Sequence, residues 1–532
     1  MIRRVLAGVA TAALLTACTS APPEKKPPAP PAEKVTLRVL AGSELADLKP
    51  ILDAAAKATG VIVKMDFTGS LEGAETVATG RADGKYDAVW FSANRYLETI
   101  PEAKKRLGAA TRIMGSPVVL GLRASTAERL GWTGKPVTWK DIAAAAEAGR
   151  FTFAMTDPAD SNTGFSALVA VAAALDGSGR ALDAAAINKV AAPLTGFFKA
   201  QKMTAGSSGW LTDAYVKRMS GPEPIDGLIN YEASLIALNN TNRLNEPLTL
   251  IYPSDGVVSA DYPLTVLAGA PAGIRDAHQR LTDYLRTEQV QKQIGTETAR
   301  RPAVAGVPRP AGLPESPVEL NFPETRASID ALLSAYLDKL RRPSRTVYVL
   351  DLSGSMGKNG RITQLKAALT GLTGVNRTLT GSYCRFRSRE EVVILPFSDK
   401  PGRPQTYTID ARNPQPSRDR LRGEIEKLQV RGNTAVYDSV IAAYGALGAA
   451  ADQDRFTSIV VMTDGESNRG RDLAAFKRFI APNDGAAAVF PILFGEAQEA
   501  QMRELGTLTG GETWDARGGD LTKAFCQIRG YQ

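Results

Sequence analysis

The sequence predicts an α/β protein, a two-lobed clamp followed by a doubly wound, Rossmann-like domain. Three observations carry this. Short apolar, β-branched runs alternate with amphipathic helical runs from Val35 onward, the pattern of parallel βαβ units. The loops after the early runs repeat small hydroxyl and amide residues. Finally, Arg345-Thr-Val-Tyr-Val-Leu leads straight into Asp351-Leu-Ser353-Gly-Ser355, placing a carboxylate and two hydroxyls on one tight turn. At 532 residues the chain has room for two or three domains, and 44% hydrophobic content allows each a sizeable core.

The amino terminus comes first. Arg3-Arg4 precede an Ala-rich apolar stretch, residues 5–13, and then Leu15-Thr-Ala-Cys18. The apolar stretch is too short to span a bilayer and has the layout of an export signal. Leu-Thr-Ala-Cys resembles the lipobox of bacterial lipoproteins. That resemblance implies removal of residues 1–17, lipid on Cys18 and anchoring at the extracytoplasmic face of the cell membrane. Residues 18–34 are dense in proline and read as an extended tether. With Cys18 used by lipid, Cys384 and Cys526 remain in an oxidising compartment, where they can pair.

Residues 35–343 form the first folded module. Strands are expected at 35–40, 61–67 and 86–91, with helices at 46–58 and 72–79. A second run of such elements extends from about 114 to 250. Residues 248–256 are expected to return the chain to the first lobe, and a helix over 275–293 to pack back on it. The loops Gly42-Ser43-Glu44, Thr68-Gly69-Ser70, Ser92-Ala93-Asn94, Gly115-Ser116 and Asp157-Pro-Ala-Asp-Ser161-Asn162-Thr163-Gly164 follow strands, often just before helices. Helix amino termini carry unpaired N–H groups and partial positive charge, so such loops suit polar or anionic ligands. Any one of them reads equally well as a helix cap; their repetition over two lobes points to a cleft.

Together these residues resemble the type II periplasmic solute-binding proteins, the receptors of bacterial ABC importers. The likeness to oxyanion receptors lies in Phe67-Thr-Gly-Ser70 and Asp157-x-x-x-Ser161-Asn-Thr-Gly164, within roughly residues 35–340. It implies two lobes closing like a hinged clamp on a small polar or anionic solute. By position, Ser43, Thr68, Ser70, Ser92, Asn94, Ser116, Ser161, Asn162 and Thr163 line the cleft. Ser207, Ser208 and Tyr231-Glu232 are further positions, although Glu232 would repel an anion if it faced the cleft. Residues 301–323 read as connection. A helix over 325–340 follows, with Ile329, Leu332, Leu333, Tyr336 and Leu340 on one face.

Residues 344–532 form the second module. Strands are expected at 346–350, 392–396, 458–463 and 488–493, and helices at 363–372, 418–428, 435–447 and 496–507. Asp351-x-Ser353-x-Ser355 is joined by Gly432-Asn-Thr434 and by Asp464-Gly465, which ends the second apolar strand. Hard oxygen ligands from three loops at strand ends suit Mg²⁺ or Mn²⁺. The set resembles the metal-ion-dependent adhesion site (MIDAS) of von Willebrand factor A (vWA) domains. In that family Ser353 and Ser355 would coordinate directly, Thr434 directly or through water, and Asp351 and Asp464 largely through waters. One position stays open for an acidic residue of a protein partner. Asn433 departs from a position where Gly is also common.

Other classes are excluded. The net charge of +8 is scattered, with no basic run interleaved with aromatics, so nucleic acid is not an expected partner. His278 is the only histidine, and no phosphate loop or nucleophile elbow occurs, so no enzyme is expected. The expected function is a membrane-anchored extracytoplasmic binding protein, using a clamp for a solute and a Mg²⁺ site for a protein partner. Its alternative is the receptor component of an ABC importer, with the vWA module docking a permease. A third reading is a degenerate clamp serving as scaffold.

Overall fold

The structure, a computed structural model, describes residues 34–219, 221, 224–315, 317–448, 454–483, 487–518 and 521–531. The leader, Cys18 and the tether up to residue 33 lie outside the described residues. In the first lobe, Val35–Ala41 (β1) pairs in parallel with Val61–Phe67 (β2) and Ala88–Trp90 (β3). Leu107–Arg112 (β4) and Pro263–Leu267 (β11) extend the sheet with antiparallel pairing, in the order β2-β1-β3-β11-β4. The helix Lys49–Thr59 stops where Gly60 turns left-handed at φ 74°, which glycine does without strain.

The second lobe is built on Met114–Arg123 (β5), whose first nine residues are buried. Its order is β10-β5-β8-β6-β7, from Phe153–Thr156 (β6), Gln201–Ala205 (β7), Gly227–Tyr231 (β8) and Ser259–Ala260 (β10). Leu248–Ile251 (β9) and Arg301–Pro302 (β12) also pair with β5. Two expectations are thereby corrected. Residues 248–251 belong to the second lobe, and β11 makes the return to the first. Local pattern marks a strand but does not name its partner. The expected single helix over 275–293 is two, Ala272–Leu285 and Glu288–Thr298, because Thr287 is extended (ψ 146°) and its hydroxyl caps Tyr284 O at 2.8 Å. The connecting helix Arg326–Ala335 starts at a Thr325 cap and continues as a wide turn, Tyr336–Leu340. It packs on the second lobe, with Tyr336 edge-on to Phe198 at 5.0 Å.

In the second module, Ser344–Asp351 (β13) lies at the centre of a six-stranded sheet ordered β15-β14-β13-β16-β17-β18. Its partners are Glu391–Phe397 (β14), Gln405–Thr408 (β15), Phe456–Thr463 (β16), Ala488–Leu493 (β17) and Trp514–Asp515 (β18). All pairings are parallel except that of β15. Along β13, Val347 and Val349 enter one core while Tyr348 and Leu350 enter the other. Both faces are covered, which explains a continuous apolar run in place of alternation.

The modules meet where the strands of this third sheet begin. Arg342, just ahead of β13, donates to Gln201 O of β7 at 3.3 Å and to Arg455 O at 3.2 Å. The helix Leu379–Cys384 and the terminal helix Leu521–Arg529 lie against the first module. Thr380 N–H reaches Glu75 at 2.6 Å, Lys523 pairs with Glu72 at 2.5 Å, and Tyr531 packs edge-on against Trp210 at 4.5 Å. The Asp351-x-Ser353-x-Ser355 loop lies at the other end of β13, roughly 25 Å along the strand at ~3.3 Å per residue.

Candidate functional site

The loops at the carboxyl ends of β1, β2, β3, β6, β7 and β8 surround a cavity of about 560 Å³, within the range of about 300–1,000 Å³ that holds small molecules. Ser43, Thr68, Ser70, Ser92, Ser161, Asn162 and Thr163 line it, with Ser207, Ser208 and Tyr231. Inside, Asn162 Nδ2 donates to Tyr231 Oη at 3.1 Å, and the Thr163 and Ser208 hydroxyls are 2.5 Å apart.

Three expected positions are elsewhere. Asn94 is buried and donates to Thr265 Oγ1 at 2.7 Å, tying its loop to β11. Ser116 is fully buried and accepts Ala233 N–H at 3.1 Å, holding the start of the helix Glu232–Asn239. Glu232 is also fully buried, in a two-pronged pair with Arg301 at 2.7 and 2.8 Å, and it does not line the cavity.

The cavity also contains residues that the strand-end pattern did not mark. Glu44, Glu72, Glu75, Arg81 and Asp160 come from the first module, while Thr380, Glu512, Trp514, Lys523 and Tyr531 come from the second. Nothing in a linear pattern reports that the second module folds across the mouth of the clamp. Among the described lining residues, both cations are paired: Lys523 with Glu72, and Arg81 with Glu75 at 3.2 Å. Burial pushes the carboxyls of Glu44, Asp160 and Glu512 above the usual range.

At the far end of the third sheet, Asp351 is fully buried. Its Oδ1 accepts Ser353 N–H at 2.7 Å and its Oδ2 accepts the Thr463 hydroxyl at 2.6 Å, so it shapes the loop with both oxygens. Ser353 Oγ and Ser355 Oγ are 2.9 Å apart, and Ser355 Oγ donates to Asp464 Oδ1 at 2.8 Å. Gly354 N–H donates to Gly432 O at 2.9 Å, drawing in the loop that carries Thr434. Two hydroxyls and a carboxylate oxygen thus converge beside exposed Gly354, Gly432 and Asn433, a donor set that fits a hard divalent cation. Arg361, not marked by the motif, holds Asp464 Oδ2 at 2.6 Å and offsets one negative charge there. Asp399 was also missed; its Oδ1 accepts the backbone and side-chain N–H of Asn433 at 3.1 and 2.6 Å.

Gly432 has φ 71°, and a Cβ there would lie 2.2 Å from Asp399 Oδ2. Gly432→Ala is therefore expected to cost about 1–3 kcal/mol, measured by chemical denaturation, and to loosen the Thr434 loop.

Between the two sites lies a buried ionic cluster. Glu390, at the start of the third sheet, receives Arg341 at 2.7 Å, Arg529 at 2.6 and 2.7 Å, and Arg387 N–H at 2.8 Å. Arg341 also lies 3.6 Å from Asp157, four residues before Ser161 of the cavity. The Cys384–Cys526 bridge, with Cα atoms 5.1 Å apart, joins the two helices that carry Thr380 and Lys523 to the cavity.

Comparison with known proteins agrees on the first module. The family described as "Bacterial extracellular solute-binding protein" matches residues 37–295, just under half of the chain. No curated protein matches the chain. Similar solved structures include the periplasmic binding protein AfuA of Actinobacillus pleuropneumoniae, with exogenous fructose-6-phosphate bound; it is 10% identical, with 57% of this chain and 98% of that one covered, at TM-score 0.45. Iron-bound HitA of Pseudomonas aeruginosa is 18% identical, with 57% and 97% covered, at 0.42. A von Willebrand factor type A protein of Catenulispora acidiphila is 14% identical, with 36% and 42% covered, at 0.28. Residues 37–295, which carry the strand-end loops on the clamp side of the cavity, are thus similar to bacterial extracellular solute-binding proteins.

Proposed function

We propose that this chain is a membrane-anchored extracytoplasmic receptor that binds a small solute in its clamp and a protein partner at a Mg²⁺-dependent MIDAS in its second module. The observation that carries the second half is the convergence of Ser353, Ser355 and Asp464 at an open rim, about one strand length from the modules' interface. When bound, Mg²⁺ would supply an electrophilic position for a partner's carboxylate. Asp351 keeps the serine loop in place through Ser353 N–H and Thr463, and Arg361 limits the negative charge that the site places on an ion. No catalytic step is assigned. Among the described residues no helix is long and apolar enough to cross a membrane, and attachment is ascribed to Cys18.

The test is retention of envelope proteins on the immobilised chain in Mg²⁺ and in EDTA, with Asp351→Ala as control. A partner held only in Mg²⁺ and lost with Asp351→Ala is expected. A partner held equally in EDTA contradicts the metal-dependent reading. The family match also favours a second reading, an importer receptor with the vWA module as docking element. In that case an ABC permease is retained regardless of metal.

A further inference from the structure

The cavity is not closed by the clamp alone. Gly530 sits directly over Asp160, so that a Cβ on Gly530 would fall 2.0 Å from Asp160 Oδ2 and 3.1 Å from Gly206 Cα. Gly206 in turn lies under the Tyr531 ring. Tyr531 Oη donates to Glu512 at 3.1 Å, and Trp514 packs against Tyr531 at 5.2 Å; all three line the same space as Ser161 and Asn162. Terminal residues of the second module therefore form a third wall.

The charge of this space is one-sided. Glu72 and Glu75 are matched by Lys523 and Arg81. Among the described lining residues no cation pairs with Glu44, Asp160 or Glu512, while Arg300 acts on Glu44, and Arg341 and Arg529 on Asp160, from outside the lining; the three carboxyls stand on the first lobe, the second lobe and the third wall respectively. Carboxyls brought out of water are costly unless charge balances them, and Glu512 is held by a neutral hydroxyl, that of Tyr531. An ammonium group with hydroxyl neighbours satisfies them, while Ser43, Ser92, Asn162 and Thr163 supply neutral hydrogen bonds.

We infer that the second module completes the solute site and that the solute is a small polar molecule bearing an amine or other organic cation, held between Asp160 and Glu512. This rests on the solute-binding reading of the clamp and narrows it. It also replaces the anion expected from the likeness to oxyanion receptors.

The experiment is calorimetric titration of the full-length chain with glucosamine, putrescine and choline, against glucose and inorganic phosphate. At least one amine is expected to bind, and each of Asp160→Asn and Glu512→Gln to weaken it tenfold or more. Trp514 emission should change with the amine, and that part of the change should vanish in Trp514→Phe. Unaltered melting of the near-isosteric Glu512→Gln shows that lost binding is not lost folding. Binding of glucose or phosphate without an amine overturns the ligand class but leaves the clamp as a solute receptor. Amine binding that falls with Asp160→Asn and not with Glu512→Gln overturns the third wall. No heat with any of the five probes overturns the inferred class.

Discussion

Glu390→Gln is expected to destabilise the chain by about 3–5 kcal/mol, the cost of removing one partner from a buried charge pair. Glu390 is 1% exposed and is the acceptor for two guanidinium groups, those of Arg341 and Arg529, which are 2% and 6% exposed. An amide keeps the shape but removes the carboxylate charge that the two guanidinium groups share, leaving Arg341 with the more distant Asp157 at 3.6 Å. Urea or guanidinium denaturation at neutral pH measures the loss. The pH dependence has a definite sign. Burial raises the Glu390 carboxyl, but Arg529 and then Arg341 outweigh it and hold the folded value below the ordinary one. The stabilisation is therefore complete above the unfolded value of about 4.3 and disappears as pH falls through the folded value. The difference between Glu390→Gln and the natural chain should be full at pH 7 and narrow in acid. A difference that widens in acid would remove the ion pairs from the explanation.

Loss of the disulfide is the second large effect. Cys384 and Cys526 are 142 residues apart, so the bridge closes a loop long enough for a large reduction in unfolded-chain entropy. The double variant Cys384→Ser with Cys526→Ser is expected to lose about 2–5 kcal/mol. It should also release the helices that carry Thr380 and Lys523 to the solute cavity. Reduction with dithiothreitol should bring the natural chain to the melting temperature of the variant. If reduced and oxidised chains melt together, the bridge does not hold this interface.

The fold was largely legible because its elements follow local rules. The β-branched run ending at Asp351 became the central strand of the third sheet, and 61–67 and 488–493 match their strands residue for residue. What local pattern could not supply was partnership. The strand at 248–251 was recognised but attached to the wrong lobe, because Leu-Thr-Leu-Ile does not encode a preference for β5 over β3. The Asn94 and Ser116 side chains were placed in the cleft because Asn and Ser serve equally as ligand groups and as caps. Their bonds to Thr265 and Ala233 N–H decide for the structural role. Arg361 and Asp399 stood outside the metal motif because they reach it across the fold. The acidic lining, with Glu512 brought in from over 300 residues away, depends on how two modules dock, and that arrangement is written in buried contacts such as Arg341 with Glu390.

The most direct measurement is calorimetric titration of the full-length chain with Mg²⁺ and with Mn²⁺, alongside the same titration of Ser353→Ala and Asp351→Ala. The account predicts one cation per chain for the natural protein. It also predicts weakened or absent binding in both variants, with cooperative unfolding preserved in Ser353→Ala. A folded natural chain that takes up neither ion, or a Ser353→Ala chain that binds as tightly as the natural one, would contradict it.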